Sequence, residues 1–384
     1  MKTLQDFNFK NKRVLLRCDF NVPLTEKGEI VDDFRIKRTL PTIKELVKQE
    51  ARVVLISHSG RPTRDEDRQK YSLKPVALRI EKLSGKKVKF LDDCIGKRIE
   101  NEISKMRKGE IVLLENLRFY EEEENNNKDF AKNLSRLADI FINDAFAVCH
   151  RAHASVEGVP KFLPSGIGLL LENEIEVLSQ FLENPRPPLV GIIGGAKVST
   201  KMKFIKPLLK KVNHLLLGGK IANAVLEMKA ISLERLLLKE EAIKDLDLTN
   251  PRLHLPTDVI VSSDIKGEAC IRVAEPGEVR KDETILDIGP RTAEAFSEII
   301  KQAGMIFWNG PLGRTEEERF AVGSLAIAKA IAQGRGFSIA GGNNTVAFIK
   351  ENRLQDQFAH ISTGGGAMLQ FLSEERLLCL EVLK

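Results

Sequence analysis

The sequence predicts an α/β protein built from two doubly wound parallel sheets, and two patterns along its 384 residues support this. In both halves short apolar runs alternate with stretches of helical periodicity, which is typical of parallel βαβ units. Most of the apolar runs are followed directly by polar or glycine-rich residues. Because the carboxyl ends of parallel strands share one edge of a sheet, these residues are expected to meet where ligands bind in such folds.

The composition is that of a globular protein that can bury two hydrophobic cores. Hydrophobic residues make up 42% and charged residues 30% of the chain, and the formal net charge is +6. Because the lysines and arginines are spread out, no nucleic-acid partner is expected, whereas a mild positive excess suits a small anion. No apolar run reaches the length needed to span a bilayer, so no membrane partner is expected.

The cysteines give no sign of a disulfide framework or a zinc site. They are far apart, odd in number and form no CxxC motif. A reducing, cytoplasmic environment is therefore expected. The five are Cys18, Cys94, Cys149, Cys270 and Cys379.

In the first half, polar side chains, most of them arginine or histidine, follow four predicted strands, at 13–18, 52–57, 111–114 and 140–142. Arg35, in the loop before the first predicted helix, could reach the same edge. Because guanidinium is planar and always charged, this pattern predicts a polyanion site, although any one arginine alone is more simply interpreted as a separate surface charge. The side chains are Asp19, Asn21, His58, Arg61, Arg118, His150, Arg151 and His153.

Two other features of this half are expected to be structural. The acidic run Glu121–Glu124 is interpreted as a solvated loop and helix entry, and no chemistry is assigned to it. His153 is expected to be a hydrogen-bonding residue rather than a catalyst. For Asp19, orienting an arginine or a substrate hydroxyl and a plain turn role remain equally open.

The stretch 191–201 predicts a phosphate site at mid-chain. An apolar run at 189–193 predicts a buried strand, two glycines follow it, and Lys197 and Lys201 open a predicted helix. Free backbone N–H groups, a helix N-terminus and two cations all favour an anion. The stretch is not a Walker A loop, since Ala196 precedes Lys197 and Val198 follows it. An ordinary strand-to-helix turn fits the same pattern.

In the second half, most predicted strands end in glycines instead of arginines. These strands are predicted at 214–217, 259–261, 285–287, 305–308, 337–340 and 360–363. Glycine-lined strand ends suit a flat ligand whose phosphates contact backbone N–H groups, and a nucleotide is the natural candidate. A dinucleotide is less favoured because no GxGxxG motif is complete. The two halves together predict phosphoryl transfer between two anions.

Eight motifs, in order along essentially the whole chain, resemble those of the phosphoglycerate kinase family. Any one of them is weak, but the ordered series is highly specific. They are RCDFNVP at 17–23, HSGRP at 58–62, ENLRF at 115–119, DAF at 144–146 with HR at 150–151, GGAKV at 194–198, DIGP at 287–290, WNGP at 308–311 and STGGG at 362–366.

This resemblance implies two Rossmann-like domains facing each other across a hinged cleft. The first would span 1–167 and the second 188–372, with a helix and linker at 168–187 and the tail 373–384 packed back on the first domain. The implied activity is reversible, Mg²⁺-dependent phosphoryl transfer between ATP and the carboxylate of 3-phospho-D-glycerate, giving ADP and 1,3-bisphosphoglycerate in glycolysis and gluconeogenesis. The family is usually monomeric, and a cytoplasmic monomer is expected here.

The resemblance also implies three sets of site residues. Phosphoglycerate would be bound by Asp19, Phe20, Asn21, Arg35, His58, Ser59, Gly60, Arg61, Arg118 and Arg151. The nucleotide would be bound by Gly195, Ala196, Lys201, Gly219, Gly289, Asn309, Pro311, Glu316, Gly342, Asn343, Asn344 and Thr345. The catalytic residues would be Arg35, Lys197, Gly342 and Gly365. Within these sets, Lys201 would hold nucleotide phosphate and Glu316 the ribose.

The main departures from the family pattern lie in the nucleotide half. The family's Gly-Gly-Gly-Asp-Thr is Gly-Gly-Asn-Asn-Thr at 341–345. Asn344 thus replaces the aspartate expected to hold the metal, and Mg²⁺ prefers carboxylates. Arg314 and Thr315 replace the usual Val-Phe, and Lys220 stands where a small residue is usual. An active enzyme that binds Mg-nucleotide more weakly is expected.

Three other interpretations remain. The first is a kinase of the same fold with weakened or altered nucleotide or metal use. The second is a non-catalytic ligand-binding relative, which would be expected to lose Lys197 or Arg35, although both are present. The third is an NAD-dependent oxidoreductase, which the missing GxGxxG disfavours.

Overall fold

A computed structural model gives the fold, and by its internal contacts the chain forms two compact units. The structure describes residues 1–26, 28–64, 66–231, 246–266, 268–373 and 377–383, with the backbone alone at 228–231. Unit 1 comprises Met1–Glu176 with Arg376–Lys384, and unit 2 comprises Val177–Glu375. The division falls within 168–187, the stretch expected to be an inter-domain helix and linker.

Unit 1 is organised around six parallel strands in the order β3-β4-β2-β1-β5-β6. The strands are β1 (Arg13–Arg17), β2 (Arg52–Ile56), β3 (Val88–Leu91), β4 (Ile111–Leu114), β5 (Ile140–Asn143) and β6 (Ser165–Ile167). The central strands are almost continuously buried, as expected for a parallel sheet covered on both faces. β6 was not predicted from the sequence, because it has three residues and includes a glycine.

Helices α1 to α6 belong to unit 1. They are α1 (Phe34–Lys48), α2 (Asp67–Tyr71), α3 (Lys74–Ser84), α4 (Lys97–Ser104), α5 (Glu121–Glu124) and α6 (Lys128–Ser135). The helix expected from Thr39 begins at Phe34 instead, so Arg35 lies in its first turn and not in the preceding loop. A start at Thr39 would put Pro41 in the first turn, where proline is favoured, but Pro41 lies inside the helix.

The DAF motif fixes the start of α7 (Leu169–Glu183), the helix in which the two units divide. Oδ1 of the buried Asp144 accepts hydrogen bonds from the backbone N–H groups of Leu170 and Leu171, at 2.9 and 3.1 Å. These N–H groups have no partner within the helix, so the carboxyl acts as a cap from a distant strand end. The motif therefore has a structural role in unit 1.

Unit 2 contains a second sheet of six parallel strands, in the order β15-β14-β13-β7-β8-β9. They are β7 (Leu189–Ile193), β8 (His214–Leu217), β9 (Leu253–His254), β13 (Met305–Asn309), β14 (Phe337–Gly341) and β15 (His360–Ile361). Trp308 on β13 is fully buried, with its ring centroid 6.4 Å from those of Phe348 and Phe358. The expectation of two parallel-sheet α/β domains is confirmed.

Two strands predicted for the parallel sheet of unit 2 lie elsewhere. A separate three-stranded sheet, ordered β11-β10-β12, is antiparallel and consists of β10 (Val259–Ser262), β11 (Ile271–Ala274) and β12 (Thr284–Ile288). A short apolar run followed by turn residues has the same appearance in either kind of sheet, so the sequence could not separate β10 and β12 from the parallel strands.

The helices of unit 2 fill the intervals between these strands, after the last turns of α7. They are α8 (Val198–Leu209), α9 (Gly219–Ile231), α10 (Pro290–Lys301), α11 (Val322–Gln333), α12 (Asn343–Glu351) and α13 (Gly365–Leu372). Among the residues described in both units, no helix is both long and apolar enough to cross a membrane.

The C-terminal tail contacts unit 1 and forms a disulfide there. Cys149 and Cys379 are bonded with their Cα atoms 4.9 Å apart, and the Cys379 N–H donates to the Cys149 carbonyl at 3.1 Å. Cys379 is the second residue of α14 (Leu378–Val382) and is buried. Leu377 and Leu383, which flank this helix, are also buried. The expectation that no disulfide forms is therefore wrong. A pair 230 positions apart leaves no spacing motif to recognise.

We predict that opening this disulfide lowers the free energy of unfolding by about 2–4 kcal/mol, because the bond closes a very long loop in the unfolded chain. Thermal unfolding of Cys149→Ser should begin at a lower temperature than that of the native chain without reductant. With reductant the two should coincide. Cys270→Ser is the matched control, since Cys270 is exposed and free. Equal unfolding temperatures for Cys149→Ser and the native chain without reductant would rule the bond out.

Candidate active site

Successive strand ends of unit 1 bring a set of basic residues to one edge of its sheet. Asp19 and Asn21 follow β1, His58 and Arg61 follow β2, and Arg118 follows β4. Arg151 comes eight residues after the end of β5, and Arg35 projects from the first turn of α1. We call Arg35, His58, Arg61, Arg118 and Arg151, together with Asp19 and Asn21, the basic edge.

Asp19 connects three members of the basic edge. Its Oδ2 forms an ion pair with Arg35 Nη1 at 2.7 Å, and its Oδ1 accepts the Asn21 N–H at 3.1 Å. His58 Nε2 lies 3.9 Å from the same Oδ1. Because Asp19 is almost fully buried, its charge requires a cation, and Arg35 supplies it. Of the two roles left open by the sequence, the contacts favour orientation of an arginine.

The loop after β2 is held from two sides. The Gly60 N–H donates to Asn21 Oδ1 at 2.9 Å, and the Gly60 carbonyl accepts from Arg118 Nη1 at 2.6 Å. Asn116 fixes Ser59, the residue before Gly60. The Ser59 N–H donates to Asn116 Oδ1 at 3.1 Å, and Asn116 Nδ2 donates to the Ser59 carbonyl at 2.7 Å. Asn116 lies inside the ENLRF motif, but no pattern in the sequence predicts this positioning role.

Like charges are concentrated at the basic edge. Burial lowers the pKa of Arg118 to about 10, and the charges of Arg151, Arg17 and Arg61 act in the same direction against that of Glu124. Burial and the charge of Arg61 likewise lower the pKa of Arg151. Arg61 itself is exposed. Guanidinium groups that repel one another in this way form a favourable site for an anion with several negative charges.

Three residues singled out from the sequence, Phe20, Ser59 and His153, contribute differently from the arginines. The Phe20 side chain is fully buried in the core of unit 1, and its N–H donates to Ser57 Oγ at 2.8 Å. It therefore supports the edge through the backbone. Ser59 is also buried. His153 is buried too, and its pKa falls to about 3, mainly through burial and then through Arg17, Arg118 and Arg151.

The sequence predicts that the whole acidic run is solvated, and this prediction is wrong for one of its four residues. Glu121, Glu122 and Glu124 are exposed, but Glu123 is fully buried. The run forms the helical turn α5, and one of its four side chains points inward, where Glu123 accepts a hydrogen bond from the Ser155 N–H at 2.9 Å. Four consecutive identical residues carry no periodicity, so the sequence could not identify the inward one.

In unit 2 the strand ends form a surface of backbone atoms that we call the glycine edge. Gly195 N–H donates to the Pro311 carbonyl at 2.7 Å, and Gly219 N–H donates to the Leu312 carbonyl at 2.8 Å. Gly219 has a φ of +57°, and a Cβ there would lie 2.8 Å from the Gly195 nitrogen. A side chain is thus excluded. The edge comprises Gly194, Gly195, Gly218, Gly219, Asn309, Gly310, Pro311, Gly342 and Gly365.

The two predicted lysines occupy different environments. Lys197 is exposed next to the exposed Ala196 and immediately precedes α8, whose first turn contains Lys201. Lys201 Nζ donates to the carbonyls of Gly194 and Asn309, at 2.8 and 3.0 Å. Burial, together with the charge of Lys197, lowers the pKa of Lys201 to about 7. Lys201 is thus held at the glycine edge as a cation that is readily discharged.

The GGNNT segment and the STGGG motif meet at the end of β13. Thr345 Oγ1 accepts the Gly310 N–H at 2.7 Å, and Asn309 Nδ2 donates to the Gly365 carbonyl at 2.9 Å. A Cβ on Gly365 would lie 2.6 Å from the Cα of Gly342. These contacts bring Gly342 and Gly365, both predicted to be catalytic, into direct contact. Two neighbouring predictions, Asn343 and Asn344, are exposed in the first turn of α12.

Two further predicted nucleotide-binding residues, Gly289 and Glu316, take no part in the contacts described above. Gly289 follows β12 of the antiparallel sheet, and its N–H donates to the Asp258 carbonyl at 2.8 Å. Its strand end was wrongly expected on the parallel sheet. Glu316 is exposed in the segment between β13 and α11.

A cavity of about 580 Å³, lined in part by Asn223, Leu226 and Ile285, lies beside α9 and β12.

Asn344 is the residue predicted to contact the magnesium ion of the nucleotide. Within the ranges that the structure covers, no three His, Cys, Asp or Glu side chains are grouped so as to hold a metal ion. Asn344, the predicted ligand, offers one neutral amide oxygen. Mg²⁺ is usually held by one or two carboxylates together with substrate phosphates, so this donor set does not fit the ion.

Comparisons with known proteins agree with the motifs. The family model for phosphoglycerate kinase matches residues 4–375. A phosphoglycerate kinase of Borrelia garinii subsp. bavariensis is 44% identical over 395 aligned residues, which cover 100% of this chain and 99% of that protein. A phosphoglycerate kinase of Dictyoglomus turgidum is 45% identical, and the alignment covers 99% of this chain and 98% of that protein.

Solved structures extend this agreement to the fold. The crystal structure of phosphoglycerate kinase from Pyrococcus horikoshii superposes with a TM-score of 0.87 at 35% identity, covering 100% of this chain and 98% of that one. The family model covers far more than half of the sequence, and the relatives are aligned over nearly their full lengths. The chain therefore belongs to the phosphoglycerate kinase family.

Proposed function

We propose that the protein transfers a phosphoryl group reversibly between ATP and the carboxylate of 3-phospho-D-glycerate, giving ADP and 1,3-bisphosphoglycerate. Family membership makes it a phosphotransferase of glycolysis and gluconeogenesis. The basic edge is the observation that carries the choice of acceptor, because it gathers four arginines, Arg35, Arg61, Arg118 and Arg151, beside the strand ends of one sheet. A cytoplasmic location and a monomeric state remain predictions.

The acid substrate suits the basic edge because it carries a phosphate and a carboxylate. We assign its binding to the basic edge with Ser59, Gly60 and the backbone at Phe20. Arg61, Arg118 and Arg151 supply permanent positive charge and planar donors, which match phosphate and carboxylate oxygens. Arg35 has a further role, since it would stabilise the charge on the transferring group, and its ion pair with Asp19 holds it in place.

The reaction requires no general base. The acceptor carboxylate is already ionised near neutral pH. Burial, and then the charges of Arg17, Arg118 and Arg35, lowers the pKa of His58 well below 6.5, so its imidazole is neutral and contributes no charge. Catalysis then rests on positioning and charge neutralisation, as is general for phosphoryl transfer.

We assign the nucleotide to the glycine edge of unit 2. Its phosphates would contact the charge of Lys201 and the first turn of α12 at Asn343–Thr345, which follows Gly342. The N–H groups of Gly195 and Gly219 are already donated to the carbonyls of Pro311 and Leu312, so these two glycines would admit the nucleotide by lacking side chains. Lys197, exposed before α8, would stabilise the transferring group together with Gly342 and Gly365. The ribose assignment to Glu316 rests on the motif alone, and Gly289 is left out because it lies on the antiparallel sheet.

Magnesium would enter with the nucleotide phosphates and receive little help from the protein. Asn344 offers no charge, and no acidic cluster replaces it among the described residues. No step of the reaction is therefore assigned to a protein-held metal ion. This arrangement favours an active enzyme with a raised Mg²⁺ requirement.

The direct test is steady-state phosphorylation of 3-phosphoglycerate by ATP during a Mg²⁺ titration. We expect turnover, and a loss of about 10²–10³-fold in kcat for Lys197→Ala, the range found when one donor to a developing anion is removed. Lys203→Ala, on the same helix, is the control and should retain activity. An inactive native enzyme, or full activity in Lys197→Ala, would contradict the proposal.

The same titration tests the role of position 344. Asn344→Asp should lower the Mg²⁺ concentration needed for half-maximal rate and should lower the KM for ADP, because a carboxylate is restored next to the phosphates. Asn352→Asp, at the opposite end of α12, is the matched control for added charge. Unchanged Mg²⁺ and ADP dependence in Asn344→Asp would count against this account.

Lys201 gives the nucleotide site a pH signature. Its pKa of about 7 in the free protein should rise on binding phosphate, so the complex should take up a proton above pH 7 and none well below it. Calorimetry of ADP binding in two buffers of different ionisation enthalpy measures this uptake. At pH 8 it should approach one proton more in the native chain than in Lys201→Met. Equal uptake in both would refute a phosphate contact by Lys201.

A further inference from the structure

We propose that Glu123 is a positioning residue, which holds Arg17 so that His58 presents its Nε2 proton to the acid substrate. The proposal rests on the function proposed above for the role of His58. It extends the site to a residue of the acidic run that touches no member of the basic edge directly. Its basis is a chain of buried polar contacts behind the basic edge.

Glu123 is tied to Arg17 directly and through Ser155. Arg17 Nε donates to Ser155 Oγ at 2.7 Å, and that hydroxyl donates to Glu123 Oε1 at 2.5 Å. Arg17 Nη2 also lies 3.8 Å from Glu123 Oε1. All three side chains are fully buried. Ser155 sits in the π-helical turn Ala154–Gly158, which packs against α5.

Arg17 determines which nitrogen of His58 carries the proton. Arg17 Nη2 lies 3.3 Å from His58 Nδ1, and a guanidinium can only donate. Nδ1 must therefore accept, and a neutral imidazole then has its proton on Nε2. That nitrogen is 3.9 Å from Asp19 Oδ1, which is too long for a hydrogen bond. An anionic oxygen of the substrate can accept this proton at closer range.

Glu123 is needed because Arg17 carries a buried charge. Burial lowers the pKa of Arg17, and the charges of Glu123 and then Asp19 oppose this effect. A buried cation that loses its partner is strongly destabilised. The other charged or titratable groups that face His58 are Arg118, Arg35 and His153, and His153 Nδ1 also lies 3.8 Å from Glu123 Oε1. Without Glu123, the acids beside this cluster would be Asp19 and Glu124, which pair with Arg35 and Arg118 respectively.

The test combines kinetics with nitrogen NMR of histidine side chains. In Glu123→Gln we expect KM for 3-phosphoglycerate to rise about tenfold while KM for ATP stays unchanged, since one charge-assisted contact is weakened. Glu122→Gln, an exposed neighbour on the same helical turn, is the matched control and should match the native chain. Equal KM values for the acid substrate in both variants would overturn the proposal.

The NMR measurement separates positioning from stability and does not depend on turnover. In ¹⁵N-histidine-labelled protein, assigned with His58→Gln, native His58 should show the Nε2–H tautomer from pH 6 to 8, and Glu123→Gln should lose it or mix it with Nδ1–H. A native Nδ1–H tautomer would overturn the proposal even if no variant folds. If the protein proved inactive, the tautomer would still decide the role of Glu123. Ser155→Ala provides a second break in the same chain of contacts.

Discussion

The repulsion among positive charges at the basic edge is the constraint on which the architecture of unit 1 depends. Arg17 and Arg118 are buried and Arg151 is half-buried, so their charges are only partly screened by water. Acidic side chains hold three arginines of this region in place. Asp19 pairs with Arg35, Glu124 pairs with Arg118, and Glu123 faces Arg17. The arrangement still retains an excess of positive charge for an anion.

Unit 2 uses a similar sheet for a different kind of recognition. Its strand ends come together because they lack side chains, as the contact between Gly365 and the backbone of Gly342 illustrates. The charge is supplied by Lys197 and Lys201 at the start of one helix. A sheet of parallel strands thus presents side-chain cations in one unit and backbone atoms in the other, which suits an acid substrate and a nucleotide respectively.

The sequence predicts the parts of the structure that follow from periodicity. Most of the parallel strands, among them the buried β7, and the two lysines at the start of α8 are where the patterns place them. The patterns do not predict what depends on tertiary pairing. Glu123 is indistinguishable from its exposed neighbours, Cys149 and Cys379 meet only after the tail returns, and the strand before Gly289 joins an antiparallel sheet. Each depends on partners distant in sequence.

The central claim is that the basic edge binds 3-phosphoglycerate, and calorimetric titration with Arg61→Gln tests it most directly. Arg61 is exposed, so its loss should leave the fold intact. Arg64→Gln is the matched control, since Arg64 is also exposed and lies three residues further along. The account predicts at least about tenfold weaker binding of 3-phosphoglycerate to Arg61→Gln, with native affinity in Arg64→Gln and unchanged affinity for ADP in both. Native affinity of Arg61→Gln for 3-phosphoglycerate would contradict it.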